Sequence, residues 1–245
     1  MYAAGVSIVE MENIVSKLST WEFSKLVDLA WSKGSFVAGK AFAEFLTKIL
    51  GDVRIENLNT PFIAVAVDLY PGRGQYFDKG SLVDAIRASI SFPGVFEPVA
   101  ANGTIFIDGG VRLNLPLRVL DQFRPKFRVG GGLAKSNRYN ADWVQGAIEC
   151  DGSQDDDEQR KFLQRLKDRF SGQRNGELGS VSVPDMNVLL ALSFNTLMAE
   201  ADRLEVERTH PDLFINLDLS VIELWEFWRG TEAVELGYFQ SKIKI

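Results

Sequence analysis

The sequence contains very little cysteine and histidine. Its 245 residues include one cysteine, Cys150, and one histidine, His210. A single cysteine excludes an intramolecular disulfide, which fits a reducing cytoplasm, although a cysteine-poor secreted protein would have the same composition. Structural zinc sites need several such residues together, so we expect no metal site and no cofactor.

Basic charge and long apolar runs are also missing. The net charge is −6 and the pI is about 5.0, so the chain has no overall basic footprint for nucleic acid. No apolar run approaches the ~20 residues that span a bilayer. With 46% hydrophobic and 24% charged residues, the composition is that of an ordinary globular protein.

The first residues do not form a signal peptide, because they have neither a basic n-region nor an apolar h-region. Met1-Tyr2-Ala3-Ala4-Gly5 has instead the pattern of a helix end followed by a glycine break. A natural domain seldom begins in this way. We therefore expect the sequence to be a piece of a longer domain.

Helical periodicity and capping residues predict most of the helices. Ser7 and Ser81 are predicted N-caps of helices over residues 8–18 and 82–89. Further helices are predicted at residues 21–29, 39–50, 115–120, 186–208 and 231–242.

A continuous apolar run over residues 62–67 predicts a strand that is buried on both faces. Such strands are typical of parallel sheets with helices on either side. Residues 75–77 are predicted to pair with this strand as a hairpin, and further strands are predicted at 105–107 and 213–217. The alternation of strands and helices predicts a three-layer α/β fold.

The middle of the chain has the weakest pattern. Gly130-Gly131-Gly132 is predicted to lie in a flexible loop, followed by a strand at 141–148. The acidic run Asp155–Glu158 is predicted to start a solvated, charged helix and lacks the spacing of a calcium-binding EF-hand loop. We therefore divide the chain into residues 1–121, an insertion at 122–180, and residues 181–245, which complete the first domain.

The sequence Asp108-Gly109-Gly110 follows the strand at 105–107. Taken alone, Asp-Gly after an apolar run indicates a hairpin turn. Its surroundings change that interpretation. Residues 85–99 contain Ala-Ser-x-Ser-x-Pro-Gly-x-Phe-x-Pro-Val, and residues 108–116 match Asp-Gly-Gly-x-x-x-Asn-x-Pro. With this order and spacing, the chain resembles the patatin-like phospholipase family, over about two-thirds of its length and most closely its bacterial members.

The resemblance implies a three-layer α/β/α patatin-like fold and hydrolysis of lipid or other small esters without a cofactor. In this family a serine in Gly-x-Ser-x-Gly attacks the ester, and the aspartate of Asp-Gly-Gly accepts the serine proton with no histidine between them. A Gly-rich loop supplies the oxyanion hole. By resemblance, Asp108 is the proton acceptor, and Gly109 and Gly110 complete its motif.

The nucleophile of the family is missing from these 245 residues, because Gly-x-Ser-x-Gly does not occur. Gly34-Ser35 has the wrong spacing, Ser89 and Ser91 belong to the Pro-Gly turn, and His210 lies in a polar loop that suits no catalytic triad. We expect the chain to lack the N-terminal strands with the oxyanion loop and nucleophile elbow, and to be inactive as written.

Three explanations compete for this missing part. We favour a fragment, or a gene product whose start is placed too late. The chain could also be one half of a split enzyme. The third explanation is a non-catalytic module that binds a membrane surface or a partner, with residues 224–228 as its contact unless they are core. We expect a cytoplasmic protein, with peripheral membrane contact as an alternative.

Overall fold

The structure is a computed structural model that describes residues 1–18, 39–134, 186–219, 222 and 226–242. The chain divides into two compact units, residues 1–134 with 198–245, and residues 135–197. Of the second unit, the structure describes only 186–197. Within the described ranges, no helix is both long enough and apolar enough to cross a membrane.

Several sequence predictions lie outside the described residues. They are the helix at 21–29, the Gly34-Ser35 pair, the strand at 141–148, Cys150, the charged helix that begins at Asp155, and residues 224–225 of the candidate contact at 224–228.

Capping residues define where the first helices begin. Helix α1 spans Ile8–Lys17, and Ser7 and Glu10 form a reciprocal capping box at its start. Helix α2 spans Lys40–Leu50. Helix α3 spans Leu82–Ser89, and Ser81 Oγ accepts a hydrogen bond from Asp84 N. The predicted helices at these three places are therefore confirmed, with ends that differ by a residue or so.

Four strands form the first sheet in the order β2-β1-β4-β3: β1 Ala64–Asp68, β2 Arg73–Phe77, β3 Val99–Ala101 and β4 Thr104–Asp108. The first four residues of β1 are buried, as the apolar run predicts, and the hairpin with β2 is confirmed. The predicted parallel pairing is wrong for this strand, because β1 is antiparallel to both β2 and β4. The short connection between β1 and β2 permits only an antiparallel hairpin, since a parallel pair needs a long crossover.

The second sheet pairs β5, Val129–Ala134, with β6, Leu213–Asp218, in parallel. The prediction that Gly130-Gly131-Gly132 is a flexible loop is therefore wrong. A Cβ on Gly130 would lie 2.9 Å from Phe214 Cδ2, and one on Gly132 would lie 3.0 Å from Phe214 Cζ. The glycines let the Phe214 ring pack on the strand, and their missing side chains remove the periodicity that would mark a strand.

Two further helices lie near the C-terminus. Helix α5 spans Met186–Thr209 and helix α6 spans Gly230–Lys242, and α6 packs against α1. The helix predicted at 115–120 is instead a 3-10 helix over Leu117–Phe123. At the N-terminus, Tyr2–Ala4 form a 3-10 turn that ends at Gly5, whose φ is 87°.

Helix α3 covers one face of the first sheet and forms the core with α2. Phe77 and Phe106 meet on this face in an edge-to-face contact with ring centroids 5.3 Å apart. The mixture of helices and sheets confirms the α/β class. Because α3 ends beside β4, this packing brings the end of the helix to the end of the strand that carries Asp108.

Candidate active site around Asp108

Asp108 is the last residue of β4, and the chain turns directly into the short helix α4, Gly110–Leu113. The Asp-Gly sequence is therefore a strand-to-helix junction and not the tip of a hairpin. The backbone N–H of Asp108 donates to the carbonyl oxygen of Ser91 at 3.0 Å. This bond ties the end of β4 to the turn that follows α3.

The two glycines of the motif are required by close contacts. A Cβ on Gly109 would lie 2.2 Å from the backbone oxygen of Val65 in β1. Gly110 N donates to Asp108 Oδ1 at 2.6 Å, and a Cβ on Gly110 would lie 2.9 Å from the same oxygen. The glycines thus allow the backbone to pass close to β1 and to the carboxylate.

Asp108 lines a cleft of about 380 Å³. Among the described residues, most of the lining is apolar, and only Ser89, Asp108 and Asn114 contribute polar side chains. No lysine or arginine is among the lining residues, which are Phe62, Ile63, Ala64, Val65, Ile86, Ser89, Ile90, Asp108, Gly109, Gly110, Leu113, Asn114 and Pro116. A cleft of this kind suits an apolar ligand with one reactive polar group.

The environment of Asp108 makes its carboxyl group more basic. Burial raises the pKa of Asp108 from 3.8 to about 6, against the opposing effect of the hydrogen bond from Gly110 N. A carboxylate with this pKa is mostly ionised at neutral pH and still takes up a proton readily. Those are the properties of a general base.

Helix α3, which leads into the turn that binds the backbone of Asp108, carries a buried arginine that no sequence motif marks. Arg87 is only 8% exposed, and its Nη1 donates to Ser91 Oγ at 2.8 Å. Its Nη2 donates to the backbone oxygen of Glu97 at 2.7 Å. One signal for this cluster is present in the sequence, because an arginine on the buried face of an amphipathic helix needs polar partners.

Helix α5 contacts the segment that follows the motif through two polar pairs. Asn114 Nδ2 donates to Asp202 Oδ2 at 2.7 Å. Glu205, which is 6% exposed, accepts from the backbone N and Nε of Arg118, both at 3.0 Å. Burial raises the pKa of Asp202, and its hydrogen bond with Asn114 opposes this. These partners are about 87 residues apart in sequence, so no local pattern could identify them.

Other polar residues lie in different surroundings. His210 is an exposed loop residue with φ 45° and is not among the cleft residues. Asp68 accepts a hydrogen bond from Thr104 Oγ1 at the opposite end of the strands. Ser89 lines the cleft, whereas Ser91 is fully buried and its Oγ donates to the backbone oxygen of Arg87, as expected of a turn serine.

Comparison with known proteins identifies the part of the chain that carries this cleft. Residues 1–121 match the patatin-like phospholipase family. The match covers 121 of the 245 residues, which is just under half of the chain. All of the residues that line the cleft fall within the patatin-like segment, whereas Asp202 and Glu205 of α5 lie beyond it.

The relatives of the patatin-like segment are larger proteins. An uncharacterized NTE family protein of Mycobacterium tuberculosis is 34% identical over 117 residues, which are 48% of this chain and 32% of the relative. Lysophospholipase NTE1 of Eremothecium gossypii is 29% identical over 122 residues, 48% of this chain and 8% of the relative. Neuropathy target esterase sws of Drosophila melanogaster is 31% identical over 106 residues, 42% and 7% respectively. The chain thus spans a third or less of the length of these relatives.

Proposed function

We propose that this chain forms part of a patatin-like acyl hydrolase that cleaves lipid esters, in which Asp108 accepts the proton of a serine nucleophile. The observation that carries the proposal is the position of Asp108, which lines an apolar cleft and whose carboxyl group has a pKa of about 6. The names of the relatives, lysophospholipase and esterase, agree with this reaction class. The apolar lining suits an acyl chain, and no lysine or arginine lines the cleft in the part of the chain that the structure describes.

The chemistry would proceed in two steps. The serine oxygen attacks the ester carbonyl while its proton passes to Asp108, and that proton then leaves with the alcohol as the carbon–oxygen bond breaks. Water attacks the acyl-serine with Asp108 again as the base, which releases the fatty acid and returns the proton to serine. The single histidine, His210, is exposed and is not among the cleft residues, so the aspartate itself takes the proton.

The serine of this mechanism comes from outside the 245 residues, since they contain no Gly-x-Ser-x-Gly. The oxyanion loop would come from the same outside segment. A general base without a nucleophile has nothing to activate, and each absent oxyanion donor can be worth on the order of 10²–10³ in rate. The chain by itself is therefore expected to have no hydrolase activity.

The test begins with the DNA upstream of the Met1 codon, where we expect an in-frame Gly-x-Gly-x-Arg-Gly and Gly-x-Ser-x-Gly. Four proteins are then assayed with a lysophospholipid and a p-nitrophenyl ester: this chain, the extended chain, and the extended chain with Asp108→Asn or with Asp52→Asn. Asp52 is an exposed aspartate and serves as the matched control.

We expect activity only in the extended chain and in its Asp52→Asn control. Turnover by the 245-residue chain would mean that the nucleophile lies within this chain, at a residue that is not part of a Gly-x-Ser-x-Gly motif. Undiminished turnover by the extended Asp108→Asn variant would show that Asp108 is only a turn residue. If the upstream DNA carries no such motifs, mixing the chain with a separate patatin-like half distinguishes a split enzyme from a non-catalytic module.

A further inference from the structure

Arg87 is a charged residue on the buried side of helix α3. Its neighbours on that side are apolar, including Leu82, Val83, Ala85 and Ala88. Burial lowers the pKa of the Arg87 guanidinium, which Glu97 partly opposes. Burying a charged group is costly unless its polar contacts are well made, so the arrangement of those contacts indicates what the residue does.

The guanidinium of Arg87 closes the turn that follows α3. Nη1 donates to Ser91 Oγ at 2.8 Å, and Ser91 Oγ donates back to the Arg87 carbonyl oxygen at 2.8 Å. Nη2 reaches the backbone oxygen of Glu97 at 2.7 Å. The Phe96 ring lies beneath the guanidinium, 5.4 Å from Arg87 Cζ to the ring centroid. Residues 87–97 are thus held by one side chain at several points.

Gly39 also packs against the guanidinium of Arg87. A Cβ on Gly39 would lie 2.1 Å from Arg87 Nε, and the φ of Gly39 is 78°. The backbone before α2 therefore packs directly on Arg87, which leaves the side chain little freedom to move. An arginine held in this way gives a fixed planar array of donors.

The turn that Arg87 closes also binds the backbone of the Asp-Gly-Gly motif. Ser91 O accepts from Asp108 N at 3.0 Å, and Ser89 O accepts from Gly109 N at 3.4 Å. Arg87 therefore contacts the side chain of Ser91, while Asp108 contacts the backbone of the same residue. A shift of this turn would move the end of β4 and its carboxylate.

We propose that Arg87 is a positioning residue, which acts through Ser91 to hold the backbone of Asp108 and so keeps the Asp108 carboxylate directed into the cleft. This inference rests on the proposed role of Asp108 and deepens it. Arg87 itself is not among the residues that line the cleft.

The position of Asp108 can be measured without catalysis, because the depth of its burial sets its pKa. The described elements around Asp108 carry the charged residues Asp68 on β1, Asp84 and Arg87 on α3, Arg112 on α4, and Glu200, Asp202, Arg203, Glu205, Glu207 and Arg208 on α5. The test must therefore separate a change of geometry from a change of charge. Ser91→Ala removes the acceptor of Arg87 Nη1 without altering any charge, and Arg87→Lys keeps the charge without the planar donors.

The experiment is an NMR titration of the 245-residue chain with ¹³C-labelled aspartate carboxyl groups, assigned through the signal that Asp108→Asn removes. In Ser91→Ala and in Arg87→Lys, we expect the pKa of Asp108 to fall by about one unit or more, because water reaches a loosened carboxylate. The matched control is Ser81→Ala, which removes the N-cap at the far end of the same helix. It should destabilise α3 and leave the pKa of Asp108 within about 0.2 unit of its original value.

An unchanged pKa of Asp108 in folded Ser91→Ala would overturn the proposal. So would an equal fall in Ser81→Ala, since that would indicate general loosening of the helix. If Arg87→Lys does not fold, the pKa of Asp108 in Ser91→Ala alone decides whether the proposal stands. In the extended hydrolase, Ser91→Ala should lower kcat about tenfold with little change in KM. If Asp108→Asn leaves that enzyme fully active, the proposed function fails, while the titration still tests the positioning.

Discussion

Replacement of Asp108 by asparagine should stabilise the folded chain at neutral pH. Burial raises the pKa of Asp108 from 3.8 to about 6, so ionising this group opposes folding. For a fully buried group, a pKa shift of this size corresponds to about 3 kcal/mol of unfolding free energy. The side chain is partly exposed, so we expect a gain of about 1–3 kcal/mol for Asp108→Asn above pH 7.

The pH dependence has a definite sign. Because the pKa of Asp108 is higher in the folded state, the folded state binds the proton more tightly than the unfolded state. The stability contributed by Asp108 is therefore complete below about pH 4 and is lost as the pH rises through about 6. Asparagine does not titrate, so the difference between variant and parent should grow across this window.

The assay is urea denaturation of both proteins at several pH values from 4 to 8, with the exposed Asp52→Asn as the control. The asparagine side chain still offers an oxygen to Gly110 N, so the bond seen at 2.6 Å to Asp108 Oδ1 can persist. A stability difference that is the same at every pH would refute the reasoning. A destabilised Asp108→Asn variant at pH 8 would mean that the carboxylate is favourably held and that its pKa is not raised.

Two further substitutions test the packing around the site. Gly109→Ala should cost about 1–3 kcal/mol in urea denaturation, because its Cβ would lie 2.2 Å from Val65 O. Gly131→Ala is the matched control, since its Cβ meets nothing within 4 Å, and a loss equal to that of Gly109→Ala would contradict the argument. Glu205→Gln should cost about 1–2 kcal/mol, because the buried carboxylate holds Arg118 through two hydrogen bonds. If Glu205→Gln has the same unfolding free energy as the parent, the contact between Glu205 and Arg118 does not stabilise the packing of α5.

Several features could be predicted from the sequence because their causes are local. Ser7 and Ser81 mark helix starts, since a hydroxyl that precedes a helix pairs with free N–H groups a few residues away. The apolar run before Asp68 predicted a strand buried on both faces. The spacing of the Asp-Gly-Gly motif after residues 85–99 pointed to the patatin-like family, which the comparison of residues 1–121 supports.

Strand direction and the structure of the glycine run could not be predicted in this way. Whether β1 pairs in parallel or antiparallel depends on which strands lie beside it, and β4 begins 36 residues after the end of β1. Gly130-Gly131-Gly132 has no side chains and hence no period. Its strand exists because Phe214 and β6, more than 80 residues away, pack against it.

The sequence by itself determined the helix starts, the buried strand, the motif that begins at Asp108 and the absence of Gly-x-Ser-x-Gly, because each of these depends only on neighbouring residues. Only the tertiary structure decided how deeply the Asp108 carboxylate is buried and which groups surround it. Its pKa depends on water excluded by β1, α3 and α4 together, and its backbone is held by a turn that Arg87 closes from inside the core. Solvent exclusion is a property of packing between distant segments, and no run of adjacent residues encodes it.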